Sequence, residues 1–166
     1  MSHANVCRLA LAVDDEPYLV TMSYGLVADT SAGVSVAAHD SGSGAAGRYR
    51  LYLHCAGAGK KTDMIRHNPR VCFGIDGRHY VEPGDEACRW TVRYESIVGY
   101  GTIQIVTDEA ERRLGLDAIM RQHGAEPPFD YANAALDQVL VLRLVVDELT
   151  GKANLPAADP SDGDAG

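Results

Sequence analysis

The chain has 166 residues, of which 46% are apolar and 23% charged, as expected for a single soluble globular domain. Its formal net charge of -8 argues against the clustered positive surface that nucleic-acid binding requires, so no nucleic-acid partner is expected. No apolar run is long enough to span a membrane and no secretory signal is visible, so the sequence predicts a cytoplasmic protein without a membrane partner.

Hydrophobic periodicity predicts six strands and two helices along the chain. In order, the predicted elements are strands at residues 6–13, 18–27 and 49–55, a helix at 59–67, strands at 70–76 and 88–106, a helix at 107–124 and a strand at 137–149. Asp14 to Pro17 would close a hairpin between the first two strands. This order indicates a mainly β protein, with an antiparallel sheet or barrel and peripheral helices.

Two further segments are predicted to be irregular. Residues 28–49 are rich in Ala, Gly and Ser and predict a mobile segment, either a long loop or an irregular hairpin tip. Residues 155–166 predict a disordered tail, so a single domain is expected to span residues 1–154. The four cysteines are scattered along the chain, a pattern that favours buried thiols over a disulfide framework.

Local signals predict how individual elements end or bend. Proline at position 69 ends the first helix at Asn68, because it disfavours helical conformation in the preceding residue. Asp108 with Glu111 resembles a capping box at the start of the second helix. The strand at 88–106 is too long to be flat, and glycines are typical of strand bulges. The bend is expected near Ser96 or at Gly99 to Gly101, and the buried stripe of the second helix is expected to comprise Leu114, Ala118 and Met120.

The most informative stretch is LYLHCAGAGKKTDMIRHNPRVCF, at residues 51–73. A helix N-terminus has unpaired backbone N–H groups and a partial positive charge. Gly57 and Gly59 would let backbone approach a ligand closely, and Lys60 and Lys61 would add full positive charges to cradle a phosphate. The alternative is that the glycines only form a turn and the lysines are solvated.

This stretch, together with W-T-x-R-Y-x-S at 90–96 and ELTGK at 148–152, resembles the split β-barrel flavin-binding proteins related to pyridoxamine 5'-phosphate oxidase. Within them it is most similar to the nitroimidazole-resistance (Nim-type) branch, over about residues 6–152. The resemblance implies an antiparallel, Greek-key-like split β-barrel that binds FMN between the two subunits of a homodimer. It further implies that Lys60 and Lys61, which precede Asn68 at the family's spacing, hold the flavin phosphate.

Further site residues follow from the resemblance alone. Those implied to line the isoalloxazine ring or the phosphoribityl chain are Val20, Thr21, Met22 and Ser23 on the second strand, with Leu53 and His54 on the third. Ser96 is implied to reach the flavin from the other subunit. Arg93 and Trp90 share its face only if side-chain alternation continues through the bend.

Several of these residues have alternative interpretations. His54 is implied to be a catalytic proton donor, but a half-buried histidine bonded to backbone fits the pattern equally well. For Trp90, packing against the protein is favoured over stacking on the flavin. For Arg93, the alternative to a flavin contact is a solvated arginine on the strand. His54 and Cys55 do not form a metal pair, because adjacent strand residues point to opposite faces, so no metal site is expected.

The sequence departs from the family at both ends. Only MSHAN precedes the first strand, where Nim-type chains have a helix, so flavin access or dimer packing is expected to differ. The chain lacks the C-terminal segment with which true pyridoxamine phosphate oxidases grip their substrate, so vitamin B6 oxidation is not expected. The expected function is an FMN-dependent reductase of nitroaromatic or similar small oxidised substrates. The alternatives are a non-catalytic flavin carrier or sensor, or a relative that binds deazaflavin or haem instead.

Overall fold

The predicted strands and helices are all present in the computed structural model, which describes residues 1, 4–28, 49–132 and 136–156. The strands are β1 (Val6–Val13), β2 (Glu16–Ala28), β3 (Tyr49–Ala56), β4 (Arg70–Glu82), β5 (Thr91–Val106) and β6 (Val139–Asn154). The helices are α1 (Lys60–His67) and α2 (Glu109–Gln122), and a short 3-10 turn lies at Ala87–Arg89. Most of the predicted loop and tail, at 29–48 and 157–166, lies outside the described residues.

The six strands form a closed antiparallel barrel in the order β1-β2-β3-β6-β5-β4. The predicted fold class, a mainly β barrel with peripheral helices, is therefore confirmed. The hairpin between β1 and β2 is tighter than predicted, because β2 already begins at Glu16. Its two turn residues, Asp14 and Asp15, have φ angles of 50° and 62°, the left-handed geometry of a two-residue hairpin turn.

Alternation along the strands directs every second side chain into the barrel. The interior side chains form one hydrophobic cluster to which all six strands contribute. Its fully buried members include Leu9, Tyr24, Leu51, Leu53, Phe73, Ile103, Leu142 and Leu144. The side chains at the intervening positions lie on the outer face of the barrel, where any external site must be built.

The ladder between β2 and β3 is shorter than the ladders on either side of it. β2 pairs with β3 only from Tyr24 to Ala28, whereas it pairs with β1 from Glu16 to Ser23. The last residues of β3 pair with β6 on their other side, as in the pair of His54 with Val141. The first half of β2 and the end of β3 therefore border a gap, and α1 begins directly after it.

Helix α2 packs across the outer face of β2 and β3 through small residues. Gly25 leaves no space for a side chain, since a Cβ atom there would lie 2.3 Å from the Ala118 carbonyl carbon. Gly115 meets the Tyr52 ring in the same way. The predicted buried stripe was therefore wrong for two of its three residues. The buried residues are Gly115, Ala118 and Ile119, whereas Leu114 and Met120 are exposed.

The ends of both helices follow the predicted signals. The Asp108 side chain accepts the Glu111 backbone N–H at 2.8 Å and so caps α2. Glu111 does not complete a capping box, because its carboxylate accepts hydrogen bonds from Tyr52 at 2.9 Å and from Arg143 at 2.7 Å instead. Asn68 ends α1 in extended conformation, and its side chain donates to the Ala12 carbonyl of β1 at 2.9 Å.

The long strand β5 changes register at one of the predicted positions. The register with β6 shifts between Tyr100 and Gly101, and β4 shifts against β5 between Asp76 and His79. All four cysteines are free. The expectation of buried thiols is confirmed for Cys7 and Cys55, whereas Cys72 is only partly buried and Cys88 is exposed. Among the described residues, no helix is long and apolar enough to cross a membrane.

Candidate functional site

The start of α1 has the features expected of an anion site. Gly59 precedes the helix with a φ of 126°, a backbone conformation that side chains rarely allow. No side chain caps the helix, so its first backbone N–H groups have no side-chain acceptor. Lys60 and Lys61 follow at once, although positive charge is unfavourable near a helix N-terminus. An external anion would offset both the unpaired donors and the adjacent charges.

The two lysines extend in different directions. Lys60 donates to a carboxylate oxygen of Glu16 at 2.5 Å and lies over the Tyr18 ring, with its Nζ 5.0 Å from the ring centre. Both partners lie at the start of β2. The hydrogen bond to Lys60, and then the Lys60 charge, lower the pKa of the Glu16 carboxyl group. Lys60 is thus already neutralised by a residue of the same chain.

Lys61 is close enough to the end of β3 for its charge to act on His54 and Cys55, and it forms no ion pair among the described residues. Its charge lowers the pKa of the neighbouring His54, although desolvation of the imidazole is the larger cause. Burial raises the pKa of the Cys55 thiol, and the positive charges of Lys61 and Arg66 act against that shift. Lys61 is therefore the half-buried cation that faces the end of β3 without a carboxylate partner.

The C-terminal end of α2 forms the opposite side of the site. The charge of His123, which caps this end, also lowers the pKa of His54. The preceding Gln122 donates to the backbone carbonyls of Met1, at 3.1 Å, and Ala4. These contacts fix the helix end beside the first residues of the chain. His54 thus lies on the outer face of β3, between the start of α1 and the end of α2.

The gap-facing part of β2 offers both side chains and backbone. Tyr24 donates its backbone N–H to Asn5 at 3.4 Å, on the β1 side. Because backbone groups alternate sides along a strand, those of Thr21 and Ser23 point away from β1 and toward the gap. The side chains of these two residues lie on the outer face, since Met22 between them is buried in the core. Thr21 and Ser23 therefore combine backbone groups that point away from β1 with side chains on the outer face of the strand.

Three other residues that the resemblance implies, Val20, Met22 and Leu53, are less exposed to solvent. The Met22 and Leu53 side chains are 6% and 0% exposed within the core, and Val20 packs against the same cluster. Val20 and Met22 pair with Leu9 and Cys7 of β1, so their backbone groups are used in that ladder. These residues support the gap from within the barrel and direct no side chain into it.

The residues on β5 lie away from the β2–β3 gap of the same chain. Ser96 pairs with Asp76 of β4, and three strand spacings, about 14 Å, separate it from Ser23 on the same outer face. Arg93 forms an ion pair with Glu82 at 2.5 Å and donates to Asn154 at 3.1 Å. Ser96 therefore cannot reach this gap within its own subunit, and Arg93 joins β4, β5 and β6.

A concave region lies at the C-terminal end of α1, beside the turn between β1 and β2. This open groove of about 430 Å³ is lined by Ala12, Val13, Asp14, Asp15, His67 and Asn68. It contains none of the residues implied to bind flavin. Among the described residues, no three His, Cys, Asp or Glu side chains are grouped so that they could hold a metal ion.

Sequence reasoning missed three residues of the site, Glu16, Tyr18 and His123. No local pattern marks them, because each is close to a lysine or histidine that is far away in the chain. The signals that were available, two lysines at a helix start and a histidine at a strand end, identified only their partners.

The chain is similar to several proteins of known structure. A candidate 5-nitroimidazole antibiotic resistance protein from Bacteroides thetaiotaomicron is 26% identical, with a TM-score of 0.67, over 90% of this chain and 77% of that one. The FAD and heme binding protein of Mycobacterium smegmatis is 17% identical, with a TM-score of 0.71, over 97% of this chain and 71% of that one. An FAD-binding protein from Mesorhizobium loti is 24% identical, with a TM-score of 0.54, over 93% and 89% of the two chains. These last two similarities show a shared fold alone.

No curated protein matches the chain. Residues 1–153, which include all six strands except the last residue of β6, match the family described as pyridoxamine 5'-phosphate oxidase. The predicted family resemblance is confirmed by this match, and the similarity to the Bacteroides protein agrees with the branch within it. The chain belongs to the pyridoxamine 5'-phosphate oxidase family.

Proposed function

We propose that this protein binds FMN at the gap between β2 and β3 and acts as a flavin-dependent reductase of nitroaromatic or other small oxidised substrates. The observation that carries the proposal is the uncapped start of α1, with Lys60 and Lys61, beside the first half of β2, which does not pair with β3. A flavin mononucleotide has matching parts, a dianionic phosphate and a ring with hydrogen-bond donors and acceptors. The FAD named for two structural neighbours supports a flavin at this fold.

Each group of residues would have a distinct role toward the flavin. Lys61 and the N–H groups of α1 would bind the phosphate, with Lys60 as a second cation. The backbone of Thr21 and Ser23 would contact the polar edge of the ring, as a neighbouring strand would. The buried side chains of Val20, Met22 and Leu53 would keep the two strand ends rigid.

The bound flavin would supply the electron transfer itself. The residues around it would orient the acceptor and provide protons. His54 is the candidate proton donor, because its imidazole lies on the outer face of β3 beside the gap. Desolvation first, and then Lys61 and His123, lower the pKa of the imidazole, so its proton-donating form becomes more abundant as the pH falls and turnover through His54 should rise on acidification. The similarity to the Bacteroides protein supports a nitro compound as the acceptor.

A homodimer with flavin sites at the subunit interface belongs to the same proposal. The outer face of β1, β2, β4 and β5 carries exposed apolar residues, among them Leu19, Val98 and Tyr100. A second copy on this face would cover them and could bring its Ser96 toward the gap. Arg93 has a smaller part in the proposal, since Glu82 and Asn154 already bind its guanidinium group.

Flavin titration tests the binding site directly. Purified protein would be titrated with FMN and with riboflavin, which lacks the phosphate, while flavin absorption and fluorescence are recorded. We expect FMN to bind more tightly than riboflavin, and Lys61→Ala to weaken FMN binding about tenfold or more. Arg113→Ala, which removes a surface cation of α2 that pairs with Glu109, is the control and should bind as wild type does. Equal affinity for FMN and riboflavin would contradict the phosphate site.

Two further measurements separate the proposed reductase from its alternatives. Steady-state turnover with a nicotinamide donor and a nitroimidazole distinguishes a reductase from a non-catalytic flavin carrier or sensor. The absorption spectrum distinguishes flavin from haem, since haem produces a Soret band. Deazaflavin would bind through the same phosphate contacts, so it is compared with FMN in parallel titrations.

A further inference from the structure

We infer that Glu16 competes with the ligand phosphate for Lys60 and thereby sets the affinity of the site for phosphorylated ligands. This inference rests on the proposed function, and it assigns the site a residue that opposes ligand binding. It also divides the lysine pair into two roles. Lys61 has no carboxylate partner among the described residues, whereas the positive charge of Lys60 is already offset by the Glu16 carboxylate.

The contacts of Lys60 carry the first step of the argument. Its Nζ lies 2.5 Å from the Glu16 carboxylate, the spacing of a charge-assisted hydrogen bond. The two residues are 44 positions apart, so the pair joins the first turn of α1 to the start of β2. The same Nζ lies over the Tyr18 ring. One N–H of the Lys60 ammonium group is therefore directed to the Glu16 carboxylate, which offsets the positive charge that a phosphate would otherwise meet.

The exposure of the pair carries the second step. The Lys60 and Glu16 side chains are 51% and 67% exposed, so solvent screens their attraction and little free energy is lost when they separate. A phosphate dianion can therefore displace the carboxylate from Lys60. The displaced carboxylate remains close to the bound phosphate, and repulsion between the two negative charges lowers the affinity further.

The contrast with Lys61 carries the third step. Both lysines begin the same helix, where positive charge is unfavourable, but only Lys60 has a carboxylate partner among the described residues. Asp15, the neighbour of Glu16, makes no hydrogen bond to Lys60 among the contacts described. The group that competes for Lys60 is therefore the Glu16 side chain, and the other acidic residues of the hairpin turn do not contribute to this contact.

Glu16→Gln tests the inference, because it removes the charge and keeps the shape of the side chain. We expect FMN affinity to rise about three- to fivefold, and inorganic phosphate to compete more effectively against FMN. Riboflavin, which has no phosphate, should bind Glu16→Gln and wild type equally. Asp15→Asn is the matched control, since it removes an adjacent charge that does not contact Lys60, and its FMN affinity should change less.

A double-mutant cycle shows whether the gain acts through Lys60. In a Lys60→Ala background, Glu16→Gln should no longer raise FMN affinity. The inference is overturned if Glu16→Gln binds FMN no more tightly than wild type, if riboflavin gains equally, or if the gain persists without Lys60. Failure of the proposed function looks different, because wild type would then not prefer FMN to riboflavin and Lys61→Ala would have no effect. That result would overturn both proposals.

Discussion

At the scale of single residues, the site depends on which neighbour each charged group meets. Lys60 and Lys61 are adjacent in sequence, yet one is paired with Glu16 and the other faces His54. The sequence predicted that both lysines begin a helix, because the glycines and the Asn-Pro pair are local signals. It could not predict the residues around them, because Glu16 approaches Lys60, and His123 approaches His54, only when distant strands and helices pack together.

His54 makes the stability of the protein dependent on pH. Its pKa in the folded protein is below the usual value of 6.5, because of desolvation first and then of Lys61 and His123. The unfolded chain therefore binds a proton at a pH where the folded chain does not. Above pH 6.5, His54 is neutral in both states and does not reduce the free energy of unfolding. As the pH falls from 6.5 through the lower pKa of the folded state, protonation of the unfolded chain reduces that free energy.

Urea unfolding at several pH values measures this contribution. We expect wild type to lose more stability on acidification than His54→Gln, which cannot take up this proton. Lys61→Ala should lie between them, because one of the three causes of the shift is removed. Parallel curves for wild type and His54→Gln would show that the folded environment does not disfavour the charged imidazole.

At the scale of secondary-structure elements, α2 illustrates where sequence patterns are insufficient. Its existence and its cap at Asp108 were predictable from local signals. Its buried face was not, because Leu114 and Met120 are more hydrophobic than the Gly115 and Ala118 that are actually buried. The face is chosen by Gly25 of β2, where only a helix with small residues can approach so closely.

Gly25→Ala should therefore destabilise the contact between α2 and β2. A Cβ atom there would meet backbone atoms of Ala118 and Ile119 at 2.3 Å, and backbone cannot rotate aside as a side chain can. We expect a loss of about 1–3 kcal/mol in the free energy of unfolding, the usual cost of overpacking. Gly151→Ala is the control, because nothing lies within 4 Å of a Cβ atom at that strand position.

The consequence of Gly25→Ala should extend to the site. Because α2 ends beside His54, a shifted helix would move His123 and reduce its effect on the imidazole. The two variants would be compared by chemical denaturation and by FMN titration. Equal unfolding midpoints for Gly25→Ala and Gly151→Ala would contradict the close packing of helix and strand.

At the scale of the whole molecule, the barrel itself was the most predictable feature. Each strand carries its own alternation, and the order of elements restricts the topology, so the fold class followed from sequence. The gap between β2 and β3 did not, because it arises where the strand pairing stops at Tyr24. The assembly is a further level, at which the outer face of one subunit is proposed to complete the site of another.

Val98→Glu tests that proposed assembly. Val98 is 47% exposed in the middle of the apolar outer face of β5, and a charge there would be buried at cost in a dimer. We expect light scattering to show a shift from dimer to monomer, together with weaker FMN binding because Ser96 of the partner is lost. Leu114→Glu is the matched control, at 46% exposure on α2, and should leave the assembly unchanged. A dimer that survives Val98→Glu with intact FMN binding would place the interface elsewhere.

The distribution of aromatic residues has an optical consequence. Trp90 is the single tryptophan of the chain, and it lies 57% exposed where β4 and β5 extend beyond the barrel. All indole emission therefore comes from one known position, and its wavelength depends on the polarity around that ring alone. A blue shift of this emission with rising protein concentration would show that association covers the connection between β4 and β5, where Trp90 lies. A constant emission wavelength would show that Trp90 remains exposed to solvent in the assembled protein. Neither measurement requires an attached label.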